Sequence, residues 1–424
     1  MDKTLYDTYV NILKEELIPA MGCTEPIAVA YAAATAMKYL GELPDKVEIN
    51  VSGNIVKNVK SVIVPNTGGL KGIAAAAASG IIAGNADRQL EVISEVSEAQ
   101  IAKIKEFLSS ADFSLSESDS GCIFDIVIRL SVHGHYSLSR ISGYHTNIVR
   151  IEKDGDILFN KEYSDDSSSS AADHSLLNVE SIIDFADTVN IEDVREIFDR
   201  QIEYNCAIAN EGLKGRYGAN IGNILLKSYG TSVHNRAKAM AAAGSDARMS
   251  GCELPVVINS GSGNQGMTCS LPVIVYAGEL DVSKETLYRA LVVSNLVTIH
   301  LKTGIGRLSA YCGATSAGCG AGAGISYLYG GHYYEIAHTI VNALAINSGV
   351  ICDGAKASCA AKIASSVEAG LLGMQMQMFG SQFYGGDGIV TKGVENTINN
   401  VGELARNGMR ETDKEIIRIM IDKI

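Results

Sequence analysis

The chain has 424 residues, 46% of them apolar and 20% charged, with a formal net charge of −13. This length supports two or three domains and a large core, and the balance is that of a soluble globular protein. The acidic excess argues against a nucleic-acid or anionic-membrane partner, both of which select basic patches.

The first forty residues read as helix. Leu13, Leu17 and Ile18 share a face, Pro19 stops that helix, and MGCTEP (21–26) breaks the chain before an Ala-rich helix over 27–40. Thr24 is the expected N-cap, with Pro26 in the first turn. Cys23 then sits beside a helix N-terminus, where partial positive charge favours a thiolate. The plainer reading is a small core residue in a turn. The start lacks the basic segment and apolar run of a signal peptide, and no run of about 18 uncharged apolar residues follows. A cytoplasmic protein is expected.

Residues 46–64 alternate as strands do, in KVEINVSG and VKSVIVP. Asn66-Thr67-Gly68-Gly69 then leads into the helical GIAAAAASGIIAG. Such a turn is either a carboxylate site at Thr67 and Gly68 or simply a tight turn. A polar helix over 97–109 precedes β-rich sequence that runs to about 163. Asp154-Gly155 marks a hairpin there. His133 and His135 are two apart and would share a strand face, as a metal pair or as exposed histidines. The low-complexity run at 164–172 reads as a connection. From about 176 the chain is mainly helical, with Gly-rich breaks. The fold class is therefore α+β: a mainly helical, Gly/Ala-rich C-terminal domain with a smaller β-containing N-terminal domain. The boundaries fall at 1–40, 41–170 and 171–424.

Two breaks carry chemistry. NSGSGNQGMTCS (259–270) offers backbone N–H groups, the Ser260 and Ser262 hydroxyls, and the Asn264 and Gln265 amides. It suits a small polar ligand and matches no nucleotide-binding loop. The second is 309–362, which holds Cys312, Cys319, Cys352 and Cys359 among glycine, alanine and serine. Thiolates suit iron–sulfur clusters and zinc, whereas free cysteines are also common in cores. Each pair is seven apart. Seven helical residues rise about 10.5 Å, so a pair used together needs a bend. Asp353-Gly354 supplies one, placing Cys352 on a loop and Cys359 at a helix start. Arg307 and His300 are lesser candidates for a carboxylate partner or acid/base, and Asp387 a weaker one. Nine cysteines in a reducing compartment point to thiols or metal ligands rather than disulfides.

As a set, MGCTEP, SGSGNQG, CGATSAG and GVICDGAKASC resemble the L-cysteine desulfidase group of iron–sulfur proteins, related to the α portion of iron–sulfur L-serine dehydratases. The resemblance spans nearly the whole chain. It implies a 4Fe-4S cluster on Cys312, Cys352 and Cys359, with one iron open to substrate and Cys319 a bystander. It implies that Cys23 is the catalytic thiolate and that L-cysteine yields pyruvate, ammonia and sulfide without PLP. The expected partner is a small amino-acid substrate, with neither nucleic acid nor membrane, and a homo-oligomer is compatible. Thr67, Gly68, Ser260, Ser262, Asn264 and Gln265 are the candidates for substrate binding. The alternatives are an L-serine dehydratase with the same cluster and, in another class, a zinc protein using Cys312, Cys319, Cys352 and Cys359.

Overall fold

The computed structural model describes residues 1–162, 172–306 and 308–421. The expected connection at 164–172 lies outside the described residues except for Ala172, and Arg307 lies outside them too. In chain order the elements are α1 (Lys3–Glu16), β1 (Pro19–Met21), α2 (Thr24–Leu40), β2 (Lys46–Val51), α3 (Gly53–Val59), α4 (Ile73–Ala83), α5 (Glu98–Ser110), β3 (Asp112–Glu117), β4 (Asp125–Val132), β5 (His135–Ser142), β6 (Ile148–Lys153) and β7 (Asp156–Asn160). Then follow α6 (Val179–Thr188), α7 (Arg195–Gly212), α8 (Ile221–Tyr229), α9 (Val233–Met249), β8 (Pro255–Val257), α10 (Gly263–Glu279), α11 (Lys284–Ile305), α12 (Gly313–Leu328), α13 (Tyr333–Asn347), α14 (Cys359–Met378), α15 (Val394–Glu403) and α16 (Arg410–Ile421). The fold is α+β and mainly helical, as expected.

Six strands form one sheet in the order β3-β2-β4-β5-β6-β7, with only the β2–β3 pair parallel. Alternation works as predicted in β2, where Val47, Ile49 and Val51 are buried and the residues between them are not. The sheet lies on α2. Small side chains allow a close approach: the Ser137 and Ser139 hydroxyls donate to the carbonyls of Ala36 and Ala32 at 2.7 and 2.6 Å. Behind α2 lies α4, where a Cβ on Gly80 would fall 2.1 Å from the Ala30 carbonyl oxygen.

The helical body is built around α12. Its glycines alternate in their use: a Cβ at Gly318 or Gly322 would meet the carbonyls of Ser366 and Gly370 in α14, and one at Gly320 or Gly324 would meet α11. Residues four apart share a helix face. The two glycine pairs therefore let α12 pack closely on both neighbours, and nearly every residue of it is buried. The core has two main parts. One joins the sheet to α2, α4 and parts of α7, α9 and α10. The other holds α1, α6 and α11 to α15 together with the rest of α7, α9 and α10. The first forty residues are thus divided, α1 packing with the C-terminal helices and α2 with the sheet.

Several expectations are corrected. The expected alternation over 46–64 ends at β2: Ile55, Val56 and Val59 belong to α3, whose seven residues are all buried, and β-branched residues spaced at one, three and four positions satisfy a buried helix as well as a strand. VKSVIVP (59–65) is not a strand either: Val59 ends α3, and the rest is a turn and loop with one isolated bridge, Ile63 to Lys71. The breaks at 259–270 and 309–324 are loops only at their starts, and each becomes a helix, α10 and α12. His133 lies in the β4–β5 turn with φ 51°, so it shares no strand face with His135, whose Nδ1 pairs with Asp154 at 3.0 Å. The Asp154-Gly155 hairpin is present, both residues having positive φ. Among the described residues no helix is long and apolar enough to cross a membrane.

Candidate active site

The short β1–β8 pair is antiparallel, with Ala20 opposite Val256. It sets the 21–26 break beside the 259–265 loop, more than 230 residues later in the chain. The Thr24 hydroxyl lies 2.9 Å from the Gly261 carbonyl oxygen, to which it donates. Cys23 itself, not Thr24, is the N-cap of α2, and Thr24 is the first helical residue. A Cβ on Gly22 would fall 2.1 Å from Pro65 Cγ, so the 64–67 turn braces this break from behind.

Cys312 and Cys352 meet through an antiparallel bridge between Tyr311 and Ile351. The Cys312 N–H donates to Val350 at 3.0 Å, and the Cys352 N–H to Ala310 at 2.6 Å. The two thiols lie close enough to act on each other. The Cys312 thiol pulls Cys352 well down, with the Lys57 and Lys302 ammonium groups adding to it, and Cys312 is pushed up. Lys57 is buried on α3 and ion-paired with Asp413 of α16 at 2.5 Å. Its carbonyl packs on the Cys352 loop, where a Cβ at Gly354 would come within 2.2 Å.

Past that loop Cys359 opens α14, as the Asp353-Gly354 turn predicts. Cys359 packs with Cys23, Val62, Met249 and Ala355. The four thiols are therefore linked in sequence: Cys312 to Cys352 by proximity, Cys352 to Cys359 by one loop, and Cys359 to the cluster that holds Cys23 by packing. Cys23 is buried, while Cys312, Cys352 and Cys359 are partly exposed. Four helices start here: α2 at Cys23, α10 at Ser262, α12 at Cys312 and α14 at Cys359. Their N-termini direct unsatisfied N–H groups and partial positive charge towards the site. Lys356 and Lys362 pair with Asp353 beside it, so the thiols lie in a locally basic setting within an acidic protein.

Cys319 is elsewhere. It is two turns into the continuous helix α12 and buried in the helical core. The rise along that helix puts it about 10.5 Å from Cys312, whereas thiolates on one zinc each lie about 2.3 Å from the ion. The four-thiolate zinc arrangement is excluded on this geometry. Cys312, Cys352 and Cys359 are the thiols that could hold a metal group. Among the described residues no three His, Cys, Asp or Glu side chains are placed to hold a single metal ion. A multi-iron cluster sets a weaker demand, because each of its thiolates binds a different iron.

Burial pushes the Cys23 thiol up to about 12, opposed by the Arg248 guanidinium in contact with it. Desolvation thus outweighs the helix-terminus effect on which the thiolate expectation rested. Glu25 Oε2 lies 4.0 Å from the sulfur, and burial raises that carboxyl as well, Arg248 again opposing. Arg248 lies in the last turn of α9 and is not among the residues that the sequence motifs single out. The available signal was one of contrast: Asp246 and Arg248 are the only charges in the Ala-rich run 239–249.

The other candidates divide. Gln265 meets Gly313, where a Cβ would lie 2.7 Å from the amide carbon. Asn264 Nδ2 donates to Met249 Sδ at 3.7 Å. Ser262 is the N-cap of α10 without a side-chain cap bond. Ser260, at φ 49°, donates to Asn259 Oδ1 at 2.9 Å. Thr67 and Gly68 do not open a helix, since α4 starts at Ile73. The Thr67 hydroxyl donates to the Val64 carbonyl at 2.6 Å, and Gly68 lies by Ile101. Their role here is to brace the Cys23 break. His300 pairs with Glu395 at 2.7 Å, and Asp387 accepts from the Tyr384 N–H within its turn.

The serine dehydratase alpha chain family matches residues 87–418. That span includes Cys312, Cys352 and Cys359 and leaves out Cys23. Similar over nearly full length are a UPF0597 protein of Desulfitobacterium hafniense, 64% identical and covering 99% of this chain and 97% of the relative, and one of Lachnoclostridium phytofermentans, 52% identical over 99% and 100%. A third, from Treponema denticola, is 48% identical over 99% of both chains.

Proposed function

The chain belongs to the serine dehydratase alpha chain family, and from that premise we propose that it is a lyase eliminating the β-substituent of a small amino acid, with L-cysteine as substrate. L-cysteine and water would give pyruvate, ammonia and hydrogen sulfide. The observation that carries the reading is the meeting of Cys23 with Cys359 in one packed group, with Cys352 and Cys312 next along the same wall.

Cys312, Cys352 and Cys359 fit a 4Fe-4S cluster by the chemistry of the donor set. All three are thiols, none is paired in a disulfide, and Lys57 and Lys302 favour the ionised form at Cys352. When bound, the cluster would supply a Lewis-acidic iron for the leaving group.

The chain's own groups supply the rest. Cys23 takes the Cα proton. The contact with Arg248 stabilises its anionic form, while the apolar packing of Val62 and Met249 keeps water from the sulfur. The first turn of α10 forms the wall between Arg248 and Cys312. Loss of the proton and the β-substituent leaves an aminoacrylate, which tautomerises and hydrolyses in water. L-serine fits the same scheme with hydroxide leaving in place of hydrosulfide, and it is the second reading.

The test is anaerobic purification, iron and sulfide analysis, and turnover of L-cysteine against L-serine with sulfide and pyruvate scored. Iron with sulfide release supports the first reading. Pyruvate from serine alone replaces it with the second, and the absence of both iron and turnover removes the proposal.

A further inference from the structure

Arg248 is only 3% exposed. Its Nε donates to the Gly22 carbonyl at 3.0 Å and its guanidinium reaches the Cys23 sulfur. Among the described residues it forms no ion pair, although the Glu25 carboxyl beside Cys23 interacts with it through space. A guanidinium carries five N–H donors and stays charged, and a buried charge that is not directly paired is costly. Space is made for it: a Cβ on Gly263, the first residue of α10, would fall 2.6 Å from Arg248 Nε. Two positions along that turn the opposite need appears. Gln265 is 5% exposed, and its Oε1 is buried with no hydrogen-bond partner, as is Oδ1 of Asn264. A buried acceptor left unmade costs about 1–3 kcal/mol. One short turn thus sets a buried guanidinium beside unmatched acceptor oxygens.

We propose that Arg248 anchors the α-carboxylate of the substrate, and that the amide oxygens of Gln265 and Asn264 receive its α-ammonium group. This rests on the reading of the site as one for a small amino acid and adds the groups that recognise it. The assignment moves carboxylate recognition away from Thr67 and Gly68 and gives the two amides the ammonium instead. It also explains why Arg248 touches Cys23: a carboxylate held by that guanidinium brings the adjoining Cα to the sulfur. A zwitterion suits the guanidinium and the unmatched oxygens together, which an anion alone or a phosphate does not.

The test is calorimetric binding to the anaerobically reconstituted full chain. L-alanine is the probe, since it has no leaving group; L-alaninamide lacks the carboxylate and propionate lacks the ammonium. The parent should bind L-alanine and discriminate against the amide. Arg248→Gln should weaken L-alanine by about 10- to 100-fold, with Arg248→Lys intermediate. Gln265→Ala should weaken L-alanine and leave propionate unchanged, which guards against a misfolded Arg248 variant. Equal binding of L-alanine and L-alaninamide by the parent, no binding of either, or undiminished L-alanine binding by Arg248→Gln overturns the assignment. Because no turnover is scored, absence of sulfide or pyruvate production refutes the reaction without touching this result.

Discussion

Arg248 ties the last turn of α9 to the first turn of α2 through Cys23: its Nε holds the Gly22 carbonyl at 3.0 Å while its guanidinium lies against the Cys23 sulfur. The sulfur has opposing neighbours, apolar packing that favours the thiol and a cation that favours the thiolate. Burial prevails, raising the group to about 12.

The pH dependence of the proposed reaction follows. A base must be deprotonated before it accepts the Cα proton, and a raised thiol is ionised only in part at neutral pH. The rate should therefore climb from neutral towards alkaline pH, read as kcat/KM, which reports groups of the free enzyme. Cys23→Ala should retain iron and lose about 10²- to 10⁴-fold in kcat. A variant that keeps the parent rate removes Cys23 from the proton transfer.

The cysteines of 309–362 should separate into two classes. Cys352→Ala and Cys312→Ala should lose iron and turnover together. Cys319→Ala should keep both, at about 1 kcal/mol of stability for a buried sulfur removed from the core. Iron content by elemental analysis, set beside the melting temperature, distinguishes the classes. Loss of iron in Cys319→Ala would contradict its place in the core.

The contact between α12 and α14 constrains the thiols, because Cys312 precedes one helix and Cys359 begins the other. A methyl at Gly318 would sit 2.1 Å from the Ser366 carbonyl oxygen, an atom of the backbone that cannot rotate away. Gly318→Ala should destabilise by about 1–3 kcal/mol and lower iron retention as the helices part. Gly349→Ala meets nothing within 4 Å and should leave both unchanged. Chemical denaturation of the two variants makes the comparison.

Glu368 on α14 accepts from His234 and Lys238 of α9 at 2.8 and 2.6 Å. These bonds, led by the one from His234, hold its carboxyl down to about 2 against an ordinary value of 4.5. The depressed acid adds stability above pH 4.5 that is lost as pH falls towards 2. The Glu368 side chain is 44% exposed, so screening limits the worth of these bonds to about 1 kcal/mol or less. Glu368→Gln should lower the melting temperature by about 1–2 °C at neutral pH and progressively less as the solution is acidified. A constant difference across that range would show that the effect is packing, not charge.

Local chemistry determined much of this protein in advance. Alternation gave β2, the Asp154-Gly155 turn gave the last hairpin, and the turn after Cys352 placed Cys359 at a helix start. These signals are short-range, so the residues concerned carry them whatever surrounds them. Other features had no local signature. Over 53–59 the β-branched spacing suits a buried helix as well as a strand, and only the burial of all of α3 decides between them; VKSVIVP beyond it keeps one isolated bridge, at Ile63, because only Lys71 pairs with it. The glycine stretch after Cys312 is a helix because α11 and α14 press on it from two sides, a fact about neighbours and not about glycine, whose own preference is against helix. Cys23, Cys312, Cys352 and Cys359 were named by motif, but their meeting was decided by the β1–β8 pair and the Tyr311–Ile351 bridge, which join segments far apart in the chain. The charges around them, Arg248 and Lys57, were decided by tertiary structure alone. A charged residue acquires its role from what is buried against it, and the sequence around each of them contains no trace of that partner.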